Sequence, residues 1–295
     1  MGYEKRITDM QNHANPPKRR PEWLKVRLGS GENFADVRRL IREKNLHTVC
    51  ESARCPNVGE CFNRRTATFM ILGDVCSRNC RFCNVQAGKP APPDLDEPER
   101  VADAVAELKL KHAVVTSVTR DDLHDGGADI FARTVRAIRE KSPDCSVEIL
   151  IPDFQADERA FERVLRDPPD ILNHNLETVA RLYDRARPQA DYRRSLDLVT
   201  YFKRRGLRTK SGLMAGLGET DDELYEAMRH LREAGCDILT VGQYLQPTKN
   251  HLPVERYVTP DTFAEYRRRA AEMGFLAVEA EPLVRSSYHA DKHAE

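Results

Sequence analysis

Residues 67–83 read ATFMILGDVCSRNCRFC. The first seven residues, ATFMILG, are almost wholly apolar, with β-forming Thr, Phe and Ile. That is the pattern of a strand buried on both faces rather than one side open to water. A polar loop carrying three cysteines follows at once. Five further runs of the same strand-like kind appear downstream: HAVVTSV (112–118), SVEILI (146–151), DILNHN (170–175), RTKSGLM (208–214) and DILTVGQ (237–243). Helix-like stretches separate them, near 97–110, 128–141, 156–166, 178–184, 190–205 and 219–234, and a last helix–strand pair, 260–273 and FLAVEA (275–280), closes the series. Strand–helix alternation at this spacing predicts right-handed βαβ units and a parallel sheet. Six main units predict an open or partial α/β barrel rather than a full eightfold one, with a doubly wound open sheet as the alternative. Either architecture gathers its chemistry at the C-terminal ends of the strands. The cysteine loop lies there, as do TSVTRDDLHDGG, NHNLET, MAGLGE and QYLQPT.

Outside this frame the chain is less regular. Residues 1–20 carry Pro16, Pro17 and the basic run Lys18 to Arg20 with little apolar material, and read as a mobile arm. Residues 33–45 place Phe34, Val37, Leu40 and Ile41 at helical spacing, with Asn33 as the expected cap. The stretch after them, with Pro and Gly among its cysteines, is expected to be irregular. Basic and acidic residues balance at 47 each, so no global attraction to nucleic acid or an anionic membrane is expected. No apolar run approaches the roughly 20 residues of a membrane span, and MGYEKRITDM lacks the apolar core of a secretory signal. A cytoplasmic protein without nucleic-acid or membrane partners is the expectation.

Of eight cysteines, Cys50, Cys55, Cys61, Cys76, Cys80 and Cys83 fall within 34 residues. In a cytosolic chain such density reads as metal or redox chemistry rather than disulfides. Cys76, Cys80 and Cys83 form C-x3-C-x2-C. Three thiolates so close can hold three irons of a cubane cluster. The fourth iron is then open to chelation by an amine and a carboxylate. A zinc site completed by His47 or His124 is the alternative. Cys50, Cys55 and Cys61 form C-x4-C-x5-C, a second three-thiol set whose spacing alone does not separate cluster from zinc. Cys145 and Cys236 have no cysteine neighbours and read as small buried hydrophobes.

The C-x3-C-x2-C loop, with Phe82 before its last cysteine, resembles that of the radical S-adenosylmethionine superfamily. CESARCPNVGECF (50–62) ahead of it, together with RPEWLKVRL (20–28), TSVTRDDLHDGGA (116–128), NHNLETV (173–179), SGLMAGLGE (211–219), LTVGQYLQPT (239–248) and PLVRSSYHA (282–290), is similar in order and content to the lipoyl synthase family. The likeness spans nearly the whole chain beyond the arm. It implies a partial (β/α)6 barrel of the radical S-adenosylmethionine type over 66–281. An N-terminal extension (21–65) carries the first three cysteines, and a C-terminal tail (282–295) carries the RSSY motif.

The resemblance also implies two 4Fe–4S clusters and S-adenosylmethionine as cofactors. The radical cluster would sit on Cys76, Cys80 and Cys83, and an auxiliary cluster on Cys50, Cys55, Cys61 and a tail serine, Ser287 in preference to Ser286. A hard serine oxygen suits a cluster that must come apart, since soft sulfur ligands hold Fe–S clusters best. The implied reaction is radical insertion of two sulfur atoms at the sixth and eighth carbons of an octanoyl chain, with the auxiliary cluster as sulfur donor. The implied partners are octanoylated lipoyl carrier domains (of a 2-oxoacid dehydrogenase acyltransferase subunit or the glycine cleavage H protein), an electron donor such as ferredoxin or flavodoxin, and an iron–sulfur cluster carrier for repair. The basic first 44 residues are a candidate docking aid, or simply a solvated arm.

For cofactor contacts the resemblance points to Phe82, to Thr116 and Ser117 at the second strand's edge, and to Asn175 and Glu177 after the fourth strand. Asn175 and Glu177 also read as a helix start, one capping and the other favouring the helix dipole. Gly216 and Gly218 allow close backbone approach, although a lone G-x-G is weak support for a nucleotide site. Asp121, Asp122, Gly126 and Gly127 read equally as a plain turn, and Lys210, Arg187 and Arg285 as surface cations or site residues.

Overall fold

The computed structural model describes residues 19–26 and 29–293. The expected arm therefore lies outside the described residues except for Arg19 and Arg20. Seven strands run parallel in one sheet: β1 (Thr68–Ile71), β2 (His112–Ser117), β3 (Ser146–Leu150), β4 (Ile171–Asn173), β5 (Arg208–Ala215), β6 (Ile238–Gln243) and β7 (Ala277–Glu281). The two-residue strand His47–Thr48 pairs antiparallel with β1 at one edge, and β7 forms the other. Spatial order follows sequence order throughout. A doubly wound sheet needs a reversal of that order, and none occurs. With right-handed crossovers an unreversed series puts every helix on one face, and the other face curls around an interior. The partial barrel thus stands, with one refinement. The terminal helix–strand pair adds a seventh strand to the sheet rather than lying outside six units.

Long helices cover the outside: α1 (Glu32–Glu43) before the barrel, then, among its crossovers, α4 (Glu97–Leu108), α5 (Ala128–Lys141), α8 (Tyr192–Arg204), α9 (Asp221–Glu233) and α10 (Pro260–Glu272), with shorter α6 (Glu158–Val164) and α7 (Tyr183–Ala186). The helix expected over 178–184 is only a 3-10 turn, Ala180–Leu182, running into α7. α1 buries Val37, Leu40 and Ile41 as their spacing predicts. Its first residue follows Gly31, so Asn33 is not the cap; its side-chain amide donates instead to the Asn63 carbonyl (3.0 Å). The stretch expected to be irregular holds two short helices, α2 (Val49–Ser52) and α3 (Val58–Asn63). Thr48 caps α2 by accepting the Glu51 N–H at 3.3 Å, and Pro56 falls in the turn between the helices, where it breaks no helical hydrogen bond. No helix among the described residues is long and apolar enough to cross a membrane.

Candidate active site

The loop after β1 is tightly tied. Val75–Cys76 pairs in parallel with Gln86–Ala87, and Cys76 Sγ accepts the backbone N–H groups of Arg78 (3.4 Å) and Thr119 (3.3 Å). Arg78, buried at the loop's centre, forks onto Asp121 (2.6 and 2.9 Å) and reaches Asp153 (2.6 Å) beyond β3. Burial alone would raise the Asp153 carboxyl, yet Arg78 holds it down at about 2. Cys83 donates its N–H to the Cys80 carbonyl (3.0 Å) and accepts, at its own carbonyl, a hydrogen bond from His251 Nε2 (2.9 Å). Burial pushes the Cys83 thiol up to about 12, with the neighbouring Cys80 and Cys76 adding to the rise. Burial raises Cys80 too, against the pull of the Arg187 guanidinium beside it.

The first triad is assembled differently. Cys50 lies on α2, Cys55 in the turn and Cys61 on α3, and the three share a pocket with Thr68, Arg285 and Ser287. Burial and then Cys55 push Cys50 up to about 11; burial, Cys50 and Cys55 push Cys61 up to about 12. Thiols crowded this way stay ionised only beside a positive centre, which a metal cluster provides. The chain's tail closes the pocket. Thr68 Oγ1 donates to Ser287 Oγ (2.8 Å), Asn57 Nδ2 to the Leu283 carbonyl (2.7 Å) and Tyr288 Oη to the Glu60 carboxylate (3.0 Å). Thr68 begins β1 and the second triad follows its end, so the triads flank a strand about 10 Å long at about 3.3 Å per residue.

A second cavity is lined by Glu177, Met214, Thr240, Gly242 and Ser286, and Arg285 lines both this cavity and the first triad's pocket. A Cβ on Gly242 would stand 2.1 Å from the Val284 carbonyl, so only glycine lets the tail cross β6 here. Asn175 Nδ2 donates to Glu177 Oε1 (3.1 Å) and Ser286 Oγ (2.7 Å), and Arg187 donates to the Asn175 carbonyl (2.9 Å). No helix starts at Asn175 or Glu177. Glu177 takes φ 72° and bridges to β5, donating its N–H to Gly212 and accepting that of Met214, both at 2.8 Å. A glutamate in this region costs on the order of 1–3 kcal/mol, a strain that collects at functional positions.

The other expected residues divide between site and scaffold. Thr116 Oγ1 donates to the Leu150 carbonyl (2.9 Å), while the buried Ser117 hydroxyl has no hydrogen-bond partner among the described residues. Phe82 is partly buried against the core formed by β5, β6 and their helices. Lys210 and Arg187 are buried, not surface cations; Lys210 Nζ lies 3.0 Å from Glu148. The Gly216–Gly218 loop wraps the molecule's own Glu219, whose carboxylate accepts the N–H groups of Gly216 (2.6 Å) and Leu217 (2.9 Å); that nest is already filled. Asp121 belongs to the Arg78 clamp, whereas Asp122 pairs with Arg120. Cys145 and Cys236 are buried in the apolar cores. Arg78, Asp153, His112 and Glu148 were not expected. A charged residue inside a cysteine loop was the available signal for Arg78, but its partners lie on separate strand ends. Among the described residues no three His, Cys, Asp or Glu side chains, the cysteine triads included, are disposed to hold a single metal ion.

A family model of the Radical SAM superfamily matches residues 70–231, and one of the N-terminal domain of lipoyl synthase matches residues 3–55. The lipoyl synthase of Roseiflexus sp. is 58% identical over 277 residues, covering 93% of this chain and 92% of that protein. That of Methylococcus capsulatus is 58% identical over 281 residues, covering 94% and 87%. The chain belongs to the lipoyl synthase family. A solved structure of methylornithine synthase superposes with a TM-score of 0.53 at 12% identity over 85% of this chain and 83% of that one. Streptococcus suis SuiB bound to S-adenosylmethionine gives 0.53 at 13% identity over 73% of this chain, which spans half of SuiB. At such identities the likeness concerns the fold alone. As a lipoyl synthase the chain is a radical S-adenosylmethionine enzyme and a sulfurtransferase, and its cofactors are 4Fe–4S clusters and S-adenosylmethionine. Its residues suit them: two groups of three thiols, each beside an arginine, lie before and after β1, and the pocket of the first shares Arg285 with the cavity of Glu177 and Ser286.

Proposed function

We propose that this lipoyl synthase inserts sulfur at the sixth and eighth carbons of an octanoyl chain amide-linked to a lysine of a lipoyl carrier protein. Cys76, Cys80 and Cys83 hold the cluster that binds S-adenosylmethionine, and Cys50, Cys55, Cys61 and Ser287 hold the cluster that donates sulfur. When bound, the first supplies the electron that cleaves S-adenosylmethionine and the second supplies sulfide. The observation that carries this reading is the pair of thiol triads on either side of β1, the first in a pocket with Ser287 and Arg285 and the second beside Arg187, with Arg285 also lining the cavity of Glu177.

The chain's own residues position and shield. Arg78, tied to Asp121 and Asp153, fixes the cysteine loop so that its three thiols keep one arrangement. Asn175 and Glu177 present hydrogen-bonding groups to the ribose and amino-acid ends of S-adenosylmethionine, Thr116 and Ser117 lie at the strand edge that meets its methionine part, and Phe82 packs beside the loop. The tail, crossing β6 at Gly242, keeps water from the cavity, where other hydrogen donors would divert a carbon radical. Ser287 is preferred to Ser286 because it lines the thiol pocket, whereas Ser286 is engaged by Asn175. The carrier is read as an acyltransferase-subunit lipoyl domain or glycine cleavage H protein, the electron donor as ferredoxin or flavodoxin, and the repair partner as an iron–sulfur cluster carrier, all in the cytoplasm. The chain is read as an arm over 1–20, an extension over 21–65, the barrel over 66–281 and the tail over 282–295.

Anaerobic turnover of an octanoylated carrier peptide, following product mass and 5′-deoxyadenosine together, tests the reaction. Gain of two sulfurs with about two 5′-deoxyadenosines per product supports it, since each carbon requires its own hydrogen abstraction; nucleoside formation without sulfur gain contradicts it.

A further inference from the structure

His112 opens β2 and points to a role the sequence did not suggest. Its side chain is only 3% exposed, yet neither ring nitrogen has a hydrogen-bond partner among the described residues. The nearest acceptor, Glu148 Oε2, lies 3.6 Å from Nε2, beyond hydrogen-bond range. That carboxylate is already engaged by Lys210 Nζ (3.0 Å) and Asn173 Nδ2 (2.9 Å). An imidazole always carries at least one N–H. Leaving it buried and unsatisfied carries a desolvation penalty, so each such group calls for a partner. The space His112 does face is the pocket of Cys50, Cys55, Cys61 and Ser287.

We propose that His112 is a further member of the auxiliary site, its ring N–H donating a hydrogen bond to sulfur held in that pocket. The proposal rests on the reading that the pocket holds a cluster. Glu148, Lys210 and Asn173 form a fully buried layer beside the ring, across β3, β4 and β5, in which Glu148 is already engaged by the other two. Sulfur is the chemistry to expect opposite it, since three cysteines line the same pocket. A hydrogen bond to cluster sulfur stabilises the reduced, more negative state and raises the reduction potential. His112 is therefore a tuning residue for the sulfur-donating centre, not a ligand to iron.

The test is a redox titration followed by electron paramagnetic resonance. It uses the full chain carrying Cys76→Ala, Cys80→Ala and Cys83→Ala, so that only the auxiliary centre contributes signal. His112→Phe keeps a ring but removes the donor and should lower the midpoint potential; His112→Gln restores a donor and should return it most of the way. An unchanged midpoint in His112→Phe with iron retained overturns the proposal. Should His112→Phe lose its iron, His112→Asn, whose amide is held on a shorter arm, is titrated against His112→Gln, and equal midpoints for the two overturn it. A background chain that binds no cluster overturns the reading of the pocket itself, whereas a bound cluster with an unmoved midpoint overturns only the part given to His112.

Discussion

The two cysteine triads are both sets of buried or half-buried thiols, yet they are held in opposite ways. The triad after β1 sits in one continuous loop locked by buried charge: Arg78 onto Asp121 and Asp153, and Cys76 Sγ under two backbone N–H groups. The triad before β1 is drawn from two short helices and a turn, and is closed by a distant stretch of chain through contacts that reach the surface, Tyr288 to Glu60 and Arg64 to Asp291 (3.2 Å). A fixed loop suits a centre that must return to the same geometry after every electron transfer. A pocket closed by a separable tail with a serine in it suits a centre that is dismantled and rebuilt. The difference lies in packing, not in the number of thiols.

The sharpest way to break this comparison is to remove one thiol from each side. Cys80→Ala should abolish both 5′-deoxyadenosine formation and sulfur insertion, while Cys55→Ala should abolish insertion and leave S-adenosylmethionine cleavage measurable by chromatography. Equal loss of cleavage in both variants would mean the triads are not separate in function. The tail serines give the next largest contrast. Ser287→Ala should stop sulfur insertion with cleavage retained. Ser286→Ala, which removes only the acceptor of the Asn175 hydrogen bond, should slow turnover by about 10-fold, the lower end for loss of a supporting group.

Stability offers a third contrast. Arg78→Met leaves Asp121 without its partner and the fully buried Asp153 with Arg194 alone (3.2 Å), and should cost about 3 kcal/mol in denaturant unfolding. Asp291→Ala breaks an exposed pair on the tail and should cost less than about 1 kcal/mol. Similar costs for the two would erase the distinction between locked loop and tethered tail.

Acid sharpens the same point more gently. Asp153 and Glu148 are held at about 2 in the folded chain, against ordinary values of 3.8 and 4.5. For both, burial opposes ionisation and is outweighed, by Arg78 at Asp153 and chiefly by Lys210 at Glu148. The unfolded chain takes up protons first, so this stability is present above about pH 4.5 and is lost as pH falls toward 2. Thermal melts of the cluster-free protein across that window should show a falling midpoint, with a shallower fall in Lys210→Met, where the ionised Glu148 has lost its main support.

Much of this was legible in the chain. Apolar runs such as ATFMILG and DILTVGQ marked the strands because a parallel sheet buried on both faces needs uninterrupted apolar residues, and the cysteine spacings marked both triads. What escaped depended on distant partners. Arg78 finds Asp121 and Asp153 at the ends of different strands, and Gly242 matters only because the tail passes 2.1 Å from where its Cβ would be. Glu177 read as a helix start because Asn and Glu suit one; the bridge to β5 overrides that preference and turns its backbone to φ 72°. α2 and α3 were missed because Pro56 and Gly59 suggest a loop, although Pro56 falls in the turn between them.

Isotope tracing of the inserted sulfur reaches the core of this account. The full enzyme is rebuilt with 34S-sulfide in both clusters, given an octanoylated carrier peptide under unlabelled conditions, and sampled for product mass and remaining iron and sulfide. Both inserted atoms should be 34S, with one cluster's worth of inorganic sulfide lost for each product and the Cys76/Cys80/Cys83 centre intact. A product carrying unlabelled sulfur, or full product yield with both centres still whole, would contradict a donor role for the Cys50/Cys55/Cys61 pocket.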